Sequence, residues 1–170
     1  MEFSLKVGIV GYGPASNVAA VALHKQGHRV TIFEKNPSPY EVDFETLKNR
    51  SYPLLFNTKA SLVLERVGIL PYFQNMKHCN HFLKIEFPNG EISIDSKPEG
   101  YQESWNGIMK SMLDSLRELC PDAEIHFNIR VANVDIQSGT LTTEKQDQHT
   151  FDLVLGCDGV GSVVLSCGET

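Results

Sequence analysis

Residues 6–35 have the sequence KVGIVGYGPASNVAAVALHKQGHRVTIFEK, and this stretch decides the fold. A short apolar strand ends at Gly11, a helix rich in small residues ends at Gly27, and a β-branched strand leads to Glu34. Glycines in the first turn let the backbone approach a pyrophosphate, and the N-terminus of the following helix offers free N–H groups to phosphates. The stretch therefore predicts a βαβ unit that holds a dinucleotide.

The turn follows the G-x-G-x-x-G pattern at Gly11 and Gly13, but Ser16 stands in place of the third glycine. That glycine mainly allows close packing of helix on strand, so a serine leaves the phosphate site in place. Glu34 lies where a carboxylate takes both hydroxyls of an adenosine ribose, and it would repel the 2′-phosphate of NADP. The alternative is a Rossmann-like unit that no longer binds a nucleotide.

The bulk composition indicates one modest globular domain. The chain has 170 residues, of which 41% are hydrophobic and 21% charged. A formal net charge of −6 argues against a nucleic-acid partner. The longest apolar run, residues 18–23, is too short to span a membrane, and no signal peptide is visible. Four cysteines without C-x-x-C spacing favour a reducing compartment, so we expect a cytoplasmic protein.

The region after Glu34 is predicted to begin with a long excursion over residues 36–56, which contains Arg50. The pattern then predicts a helix that is capped by Asn57 or Thr58 and runs to Val67, with Gly68 as its stop, and a second short helix over residues 70–76. The cluster at 78–81 (His-Cys-Asn-His) is too compact for a zinc signature, so we expect a loop with a buried cysteine and no metal.

The second half is predicted to contain two β-hairpins and one amphipathic helix. The first hairpin pairs residues 82–87 with 91–95 around a Pro-Asn-Gly turn. Apolar residues at helical spacing from Ile108 to Leu119 predict a helix that faces a core. Strands are expected over residues 124–127 and 130–136, and the latter pairs with residues 140–144 as the second hairpin.

A last motif occupies residues 151–162 (FDLVLGCDGVGS), which predict a buried strand followed by a turn that carries Asp158. Because strands of open α/β sheets deliver ligand groups at their carboxyl ends, Asp158 could meet the same nucleotide as Gly11 and Gly13. An Asp-Gly turn at a strand end is also common without any function. Both interpretations remain open on this motif alone.

Taken together and in this order, the motifs resemble the N-terminal part of the class A FAD-dependent aromatic hydroxylases, and within that family the kynurenine 3-monooxygenase branch. The resemblance covers nearly all of residues 6–164. It implies an α/β fold, namely a Rossmann-like βαβ FAD-binding domain with inserted β-hairpins. The segments that carry it are 7–15, 33–35, 50–54, 64–70, 119–127 and 152–162.

The resemblance also implies a set of FAD-contacting residues, which are Gly11, Gly13, Ala15, Glu34, Lys35, Arg50, Asp158 and Gly159. The first three would line the pyrophosphate, and Glu34 would hold the adenosine ribose with Lys35 beside it. Arg50 would lie near the flavin, and the last two residues would contact the ribityl-pyrophosphate region. The implied reaction is reduction of the flavin by NADPH or NADH, addition of oxygen at C4a, and hydroxylation of a small aromatic substrate by the hydroperoxide.

The chain departs from the family at several places. Asn106 stands about where the family has an arginine at the start of the amphipathic helix, Leu165 replaces an arginine, and Ser16 replaces a glycine. The sequence also stops at Thr170, just after the Asp-Gly motif, where the family continues with most of its substrate sheet. Residues 1–170 are therefore expected to form an FAD-binding domain that is incomplete relative to the family fold, with the substrate part largely missing. Turnover by this polypeptide alone is expected to be weak or absent, and a second chain that supplies the missing half is a candidate partner.

Three functions follow from these observations. The first is the FAD-binding part of an NAD(P)H-dependent monooxygenase, and the second is a truncated, non-catalytic flavin- or nucleotide-binding module. The third is an NAD-dependent oxidoreductase, which is disfavoured because hairpins replace the regular alternation of strand and helix that its sheet needs. No side-chain acid, base or nucleophile is predicted, since the flavin would carry the chemistry.

Overall fold

The computed structural model describes residues 3–42, 53–56, 58–73, 77–80, 83–87, 90–94 and 99–168. Arg50 lies outside these ranges. Strands in the described chain are β1 (Lys6–Val10), β2 (Arg29–Phe33), β3 (Pro53–Phe56), β4 (Lys77–Asn80), β5 (Leu83–Phe87), β6 (Gly90–Ile94), β7 (Glu99–Ser104), β8 (Glu124–His126), β9 (Val131–Asp135), β10 (Thr140–Thr143), β11 (Gln148–Thr150) and β12 (Leu153–Gly156). Helices are α1 (Pro14–Lys25), α2 (Thr58–Val67), α3 (Trp105–Leu119) and α4 (Val163–Gly168), with a 3₁₀ turn at Leu70–Tyr72.

The central sheet has the strand order β12-β1-β2-β8. All three of its pairings are parallel, with Val7 opposite both Val30 and Leu153. Parallel neighbours require a crossover connection, and α1 supplies it between β1 and β2. The predicted Rossmann-like α/β fold is therefore confirmed.

Alternating side chains of β1 and β2 divide the core into two layers. Val7, Ile9 and Ile32 face α1 and α3 and belong to the larger cluster, in which the apolar stripe of α3 is buried except for the partly exposed Leu119 at its end. Val10 and Phe33 point to the opposite face, where they pack with residues of β9 and β10. Because successive side chains of a strand point to opposite faces, one apolar strand can hold a layer on each side.

Three antiparallel units surround this sheet. Strands β9, β10 and β11 form one sheet in the order β11-β10-β9, and β5 pairs with β6 as a hairpin. A third sheet has the order β3-β7-β4. Both predicted hairpins are confirmed, and the second one gains β11 as a further strand.

Several local predictions are wrong. The predicted loop at 78–81 is strand β4 over Lys77–Asn80, and the predicted excursion over residues 36–56 ends in strand β3. Both strands pair with β7, which is about 20 to 50 residues distant in sequence, and short-range periodicity carries no trace of such a pairing. The second predicted helix is only the 3₁₀ turn at Leu70–Tyr72 within the described residues.

The predicted buried strand near Asp158 also needs correction. Strand β12 lies at an edge of the central sheet as the described residues define it, and its residues are half-buried or exposed. An apolar run is compatible with either position, because periodicity does not count neighbours. Within the described ranges, no helix combines the length and apolar character that crossing a bilayer requires.

A buried polar contact joins the first turn to α3. Asn17 is fully buried, and its Nδ2 donates to Met112 O at 2.9 Å and to the Tyr12 hydroxyl at 3.2 Å. Burial raises the pKa of the Tyr12 phenol, which keeps it neutral. A buried amide that is hydrogen-bonded in this way fixes one rotation of α1 against α3.

Gly11 lies at a close backbone approach between the ends of β1 and β12. Its φ is +95°, and a Cβ there would lie 2.5 Å from Cys157 O and 2.7 Å from Asp158 Cα. Gly13 differs, since its φ of −138° suits any residue and nothing lies within 4 Å of a Cβ built on it. The first glycine is thus required by the fold, and the second is not.

We expect Gly11→Ala to lower the free energy of unfolding by about 2 kcal/mol or more, since backbone must move and a left-handed φ is strained. Gly13→Ala is the matched control in the same turn and should stay within about 0.5 kcal/mol of the parent chain. Urea unfolding followed by circular dichroism measures both. Equal losses in the two variants would contradict the distinction.

Asn17→Ala should lower the free energy of unfolding by about 1–3 kcal/mol, because it removes the amide that links the first turn to α3. Asn133→Ala, at an exposed position of β9, is its control and should change the value by less than about 0.5 kcal/mol. The same urea titration tests the pair. An Asn17→Ala chain as stable as its control would show that the buried amide contributes nothing.

Candidate functional site

A cleft of about 360 Å³ opens at the carboxyl ends of β1, β2 and β12. Its walls come from the first turn, the exit of β2, the turn between β8 and β9, and the turn after β12. This is the edge at which open parallel sheets bind ligands. The lining residues are Val10, Gly11, Tyr12, Gly13, Pro14, Ala15, Phe33, Glu34, Lys35, Asn36, Trp105, Ile129, Arg130, Val131, Cys157, Asp158, Gly159, Gly161 and Val163.

The first turn is held by backbone donors that point into the protein. Gly11 N–H donates to Phe33 O at 2.8 Å, and Tyr12 N–H donates to Glu34 Oε2 at 2.6 Å. Gly13 N–H donates to Ser16 Oγ at 2.8 Å, and the hydroxyl donates back to Gly13 O at 2.8 Å. Ser16 therefore does more than replace a packing glycine, because its hydroxyl is bonded to both the N–H and the C=O of Gly13.

This arrangement selects the donors that remain for an anion. Pro14 has no N–H, and the N–H of Gly13 is bonded to Ser16. The N–H of Ala15, at the second position of α1, has no partner among the described residues, and Ala15 lines the cleft, whereas Ser16 is fully buried. The Ala15 N–H lies at the positive end of the helix dipole, beside the open space next to Gly13. The turn therefore fits a phosphate group.

Glu34 holds the other end of the first turn. Its side chain is only 7% exposed, and its carboxylate accepts from Tyr12 N–H, from Asn36 N–H at 2.8 Å and from Asn36 Nδ2 at 2.5 Å. Its backbone is tied to the β8–β9 region through Glu34 N–H to His126 O and Ile129 N–H to Glu34 O, both at 2.9 Å. The carboxylate is thus in place before any ligand binds.

Asp158 has one satisfied and one unsatisfied oxygen. Its Oδ2 accepts from Val163 N–H at 2.7 Å and so caps the short helix α4. Its Oδ1 is buried and has no partner among the described residues. A buried carboxylate oxygen without a donor is costly, so the position fits a ligand that donates a hydrogen bond, such as a hydroxyl.

Two cations flank the mouth of the cleft. Lys35 is exposed, and Arg130 Nε lies 3.1 Å from Glu144 Oε1 in a pair that is itself largely exposed. Between them and the turn, Val10, Phe33 and Val131 give the cleft an apolar floor. A pocket with an apolar floor and a few polar groups at its edge suits an aromatic ring attached to a charged chain.

Cys157 is the thiol of this cleft, and the structure gives it no reactive role. Its N–H donates to Val10 O at 2.7 Å, so the residue continues the strand pairing beyond β12. Burial raises the pKa of the thiol, and the neighbouring Asp158 carboxylate adds to the shift. A neutral thiol is a poor nucleophile at neutral pH.

Seven of the eight predicted site residues line this single cleft, and Arg50 lies outside the described residues. Those brought together are Gly11, Gly13, Ala15, Glu34, Lys35, Asp158 and Gly159. Contact with a cofactor remains a prediction for each of them. Their convergence from three separate stretches of sequence is what the parallel strand order produces.

Sequence reasoning missed the wall formed by residues 129–131, Trp105 and Asn36. The wall residues follow no motif, and they reach the cleft only because β8 pairs with β2. Trp105 starts α3, whose pattern identifies a core-facing helix and not a cleft. Asn36 follows no motif either, and its bond to Glu34 is visible only in the structure.

Comparison with known proteins identifies a family model that matches nearly the whole chain, together with several curated relatives. The family described as "FAD binding domain" matches residues 4–169. The kynurenine 3-monooxygenase of Salinispora arenicola (strain CNS-205) is 30% identical over 94% of this chain and 37% of its own length. Hispidin-3-hydroxylase of Neonothopanus nambi is 28% identical over 96% of this chain and 39% of its own length. The chain thus spans little more than a third of these curated relatives.

Solved structures share the fold. A 2-methyl-3-hydroxypyridine-5-carboxylic acid oxygenase superposes with a TM-score of 0.78 at 22% identity, covering 97% of this chain and 42% of its own. CtdE, crystallised in complex with FAD, gives 0.70 at 20% identity, covering 95% and 40%. Because the family match extends over residues 4–169, the chain belongs to the FAD binding domain family.

Proposed function

We propose that this chain binds FAD in the cleft at the carboxyl ends of β1, β2 and β12, and that residues 1–170 act as the FAD-binding domain of a monooxygenase. The observation that carries the proposal is the convergence of the open Ala15 N–H, at the start of α1, with the preformed carboxylate of Glu34 in one cleft. The relatives' names and the family match support the choice of FAD over other dinucleotides.

Each group of the cleft suits one part of the dinucleotide. The N–H at the start of α1 would bind the pyrophosphate, with the open space at Gly13 leaving room for it, while Gly11 keeps the strand ends close together. Glu34 would bind the adenosine ribose, with Lys35 beside it. Asp158 Oδ1 needs a donor, so it suits a ribityl hydroxyl better than a phosphate oxygen, and Gly159 would lie beside it. Arg50 is proposed for the flavin side.

The reaction belongs to the whole monooxygenase. Bound FAD would supply the redox chemistry: it would be reduced by NADPH or NADH and would then activate oxygen for hydroxylation of a small aromatic substrate. The residues of this chain would bind and orient the cofactor and keep water from its adenosine half. Kynurenine is the substrate that the names of several relatives indicate, and we propose a ring of that class.

The first test is the visible spectrum of the purified chain after incubation with FAD and desalting. Retained flavin absorption, released only on denaturation, is the expected result. Gly13→Asp should abolish retention, because its carboxylate would occupy the open space that the pyrophosphate needs and would repel it.

Gly168→Asp is the matched control, since it adds the same charge outside the cleft at a position with equal room for a side chain. It should retain flavin like the parent chain. A colourless parent chain whose melting temperature FAD does not raise would overturn the proposed function. Equal retention by Gly13→Asp and Gly168→Asp would show that flavin binds elsewhere.

A further inference from the structure

The Glu34 carboxylate has less free capacity than a ribose diol needs. A carboxylate offers about four acceptor positions, two on each oxygen. Two donors of Asn36 reach Oε1, from the backbone at 2.8 Å and from Nδ2 at 2.5 Å. Tyr12 N–H takes one position on Oε2 at 2.6 Å. One position therefore remains, which is enough for a single hydroxyl.

Asn36 bonds to the other oxygen of the same carboxylate, Oε1, and its own backbone is held on both sides. Its N–H bonds to Glu34 Oε1, and its C=O accepts from Asn128 N–H at 3.1 Å. Its side chain lines the cleft and is exposed at the surface of the site. Since a carboxylate only accepts, Nδ2 must face Glu34, so Oδ1 and the second Nδ2 hydrogen are directed away from it.

We propose that Asn36 is a ribose-recognition residue, which binds the hydroxyl that Glu34 cannot accept. This inference rests on the proposed binding of an adenine dinucleotide in the cleft. Glu34 Oε2 accepts one hydroxyl of the adenosine ribose, and the side-chain amide of Asn36 binds the other. The two side chains together recognise the neighbouring 2′- and 3′-hydroxyls of the ribose. The sequence pattern, in contrast, assigns both hydroxyls to Glu34.

Binding of truncated ligands by the full chain tests the assignment. Titration calorimetry with ADP, 2′-deoxy-ADP and 3′-deoxy-ADP gives three dissociation constants for each variant. We expect the parent chain to bind each deoxy ligand about 3- to 30-fold more weakly than ADP, the range of one lost hydrogen bond. Asn36→Ala should remove the discrimination against one deoxy ligand and keep the discrimination against the other.

Asn133→Ala is the control, an exposed asparagine outside the cleft, and it should discriminate as the parent does. Melting temperatures of the ligand-free variants establish that Asn36→Ala is folded, since its backbone bonds to Glu34 and Asn128 remain possible. If Asn36→Ala still discriminates against both deoxy ligands, Glu34 alone takes both hydroxyls and the inference is wrong.

The same titrations distinguish a failure of the proposed FAD binding from a failure of the proposed role of Asn36. A parent chain that binds neither FAD nor ADP would overturn the proposed function, and the assignment of Asn36 with it. A parent chain that binds FAD and ADP but treats all three nucleotides alike would leave FAD binding intact and refute ribose recognition by Glu34 and Asn36 together.

Discussion

The whole site depends on the convergence of three parallel strand ends at Gly11. Its N–H bonds to Phe33 O at the end of β2, and the N–H of Cys157, just after β12, bonds to Val10 O at the end of β1. The missing side chain lets the backbone of Cys157 and Asp158 lie where a Cβ would stand. Any larger residue would separate β1 from β12 and move Asp158 away from the first turn. The glycine thus acts first on the sheet, and only through the sheet on the cleft.

Buried polar side chains of α1 then hold the turn between β1 and α1 in place. Ser16 bonds both the N–H and the C=O of Gly13, and Asn17 joins the start of α1 to Met112 of α3. Both side chains are fully buried, where an unpaired polar group would be costly, so each stabilises only one arrangement of the turn. The serine that breaks the glycine pattern therefore holds the turn in one conformation. Because it occupies the Gly13 N–H, it leaves the Ala15 N–H as the open donor for an anion among the described residues of the turn.

The sequence predicts the parts of the fold that local chemistry controls. The βαβ unit, both hairpins and α3 follow from glycines and from apolar periods of 2 or 3.6, and the structure contains them. Strands β3, β4 and β7 were not predictable in this way, because their pairing joins distant segments such as Leu54 and Glu103. The same holds for the residues of the cleft. Glu34 and Asp158 were predicted because they belong to local motifs, whereas residues 129–131 reach the cleft only because β8 lies next to β2.

The two carboxylates of the cleft are prepared in opposite ways. Glu34 is surrounded by N–H donors before a ligand arrives, so its ordering has no further entropic cost on binding. Asp158 instead keeps Oδ1 buried without a donor, which costs the ligand-free chain about 1–3 kcal/mol. A ligand that donates to this oxygen recovers that energy only when bound. Glu34 is therefore suited to selecting the ligand by shape and hydrogen bonding. Asp158, at the other end of the cleft, couples ligand binding to the stability of the sheet edge at β12.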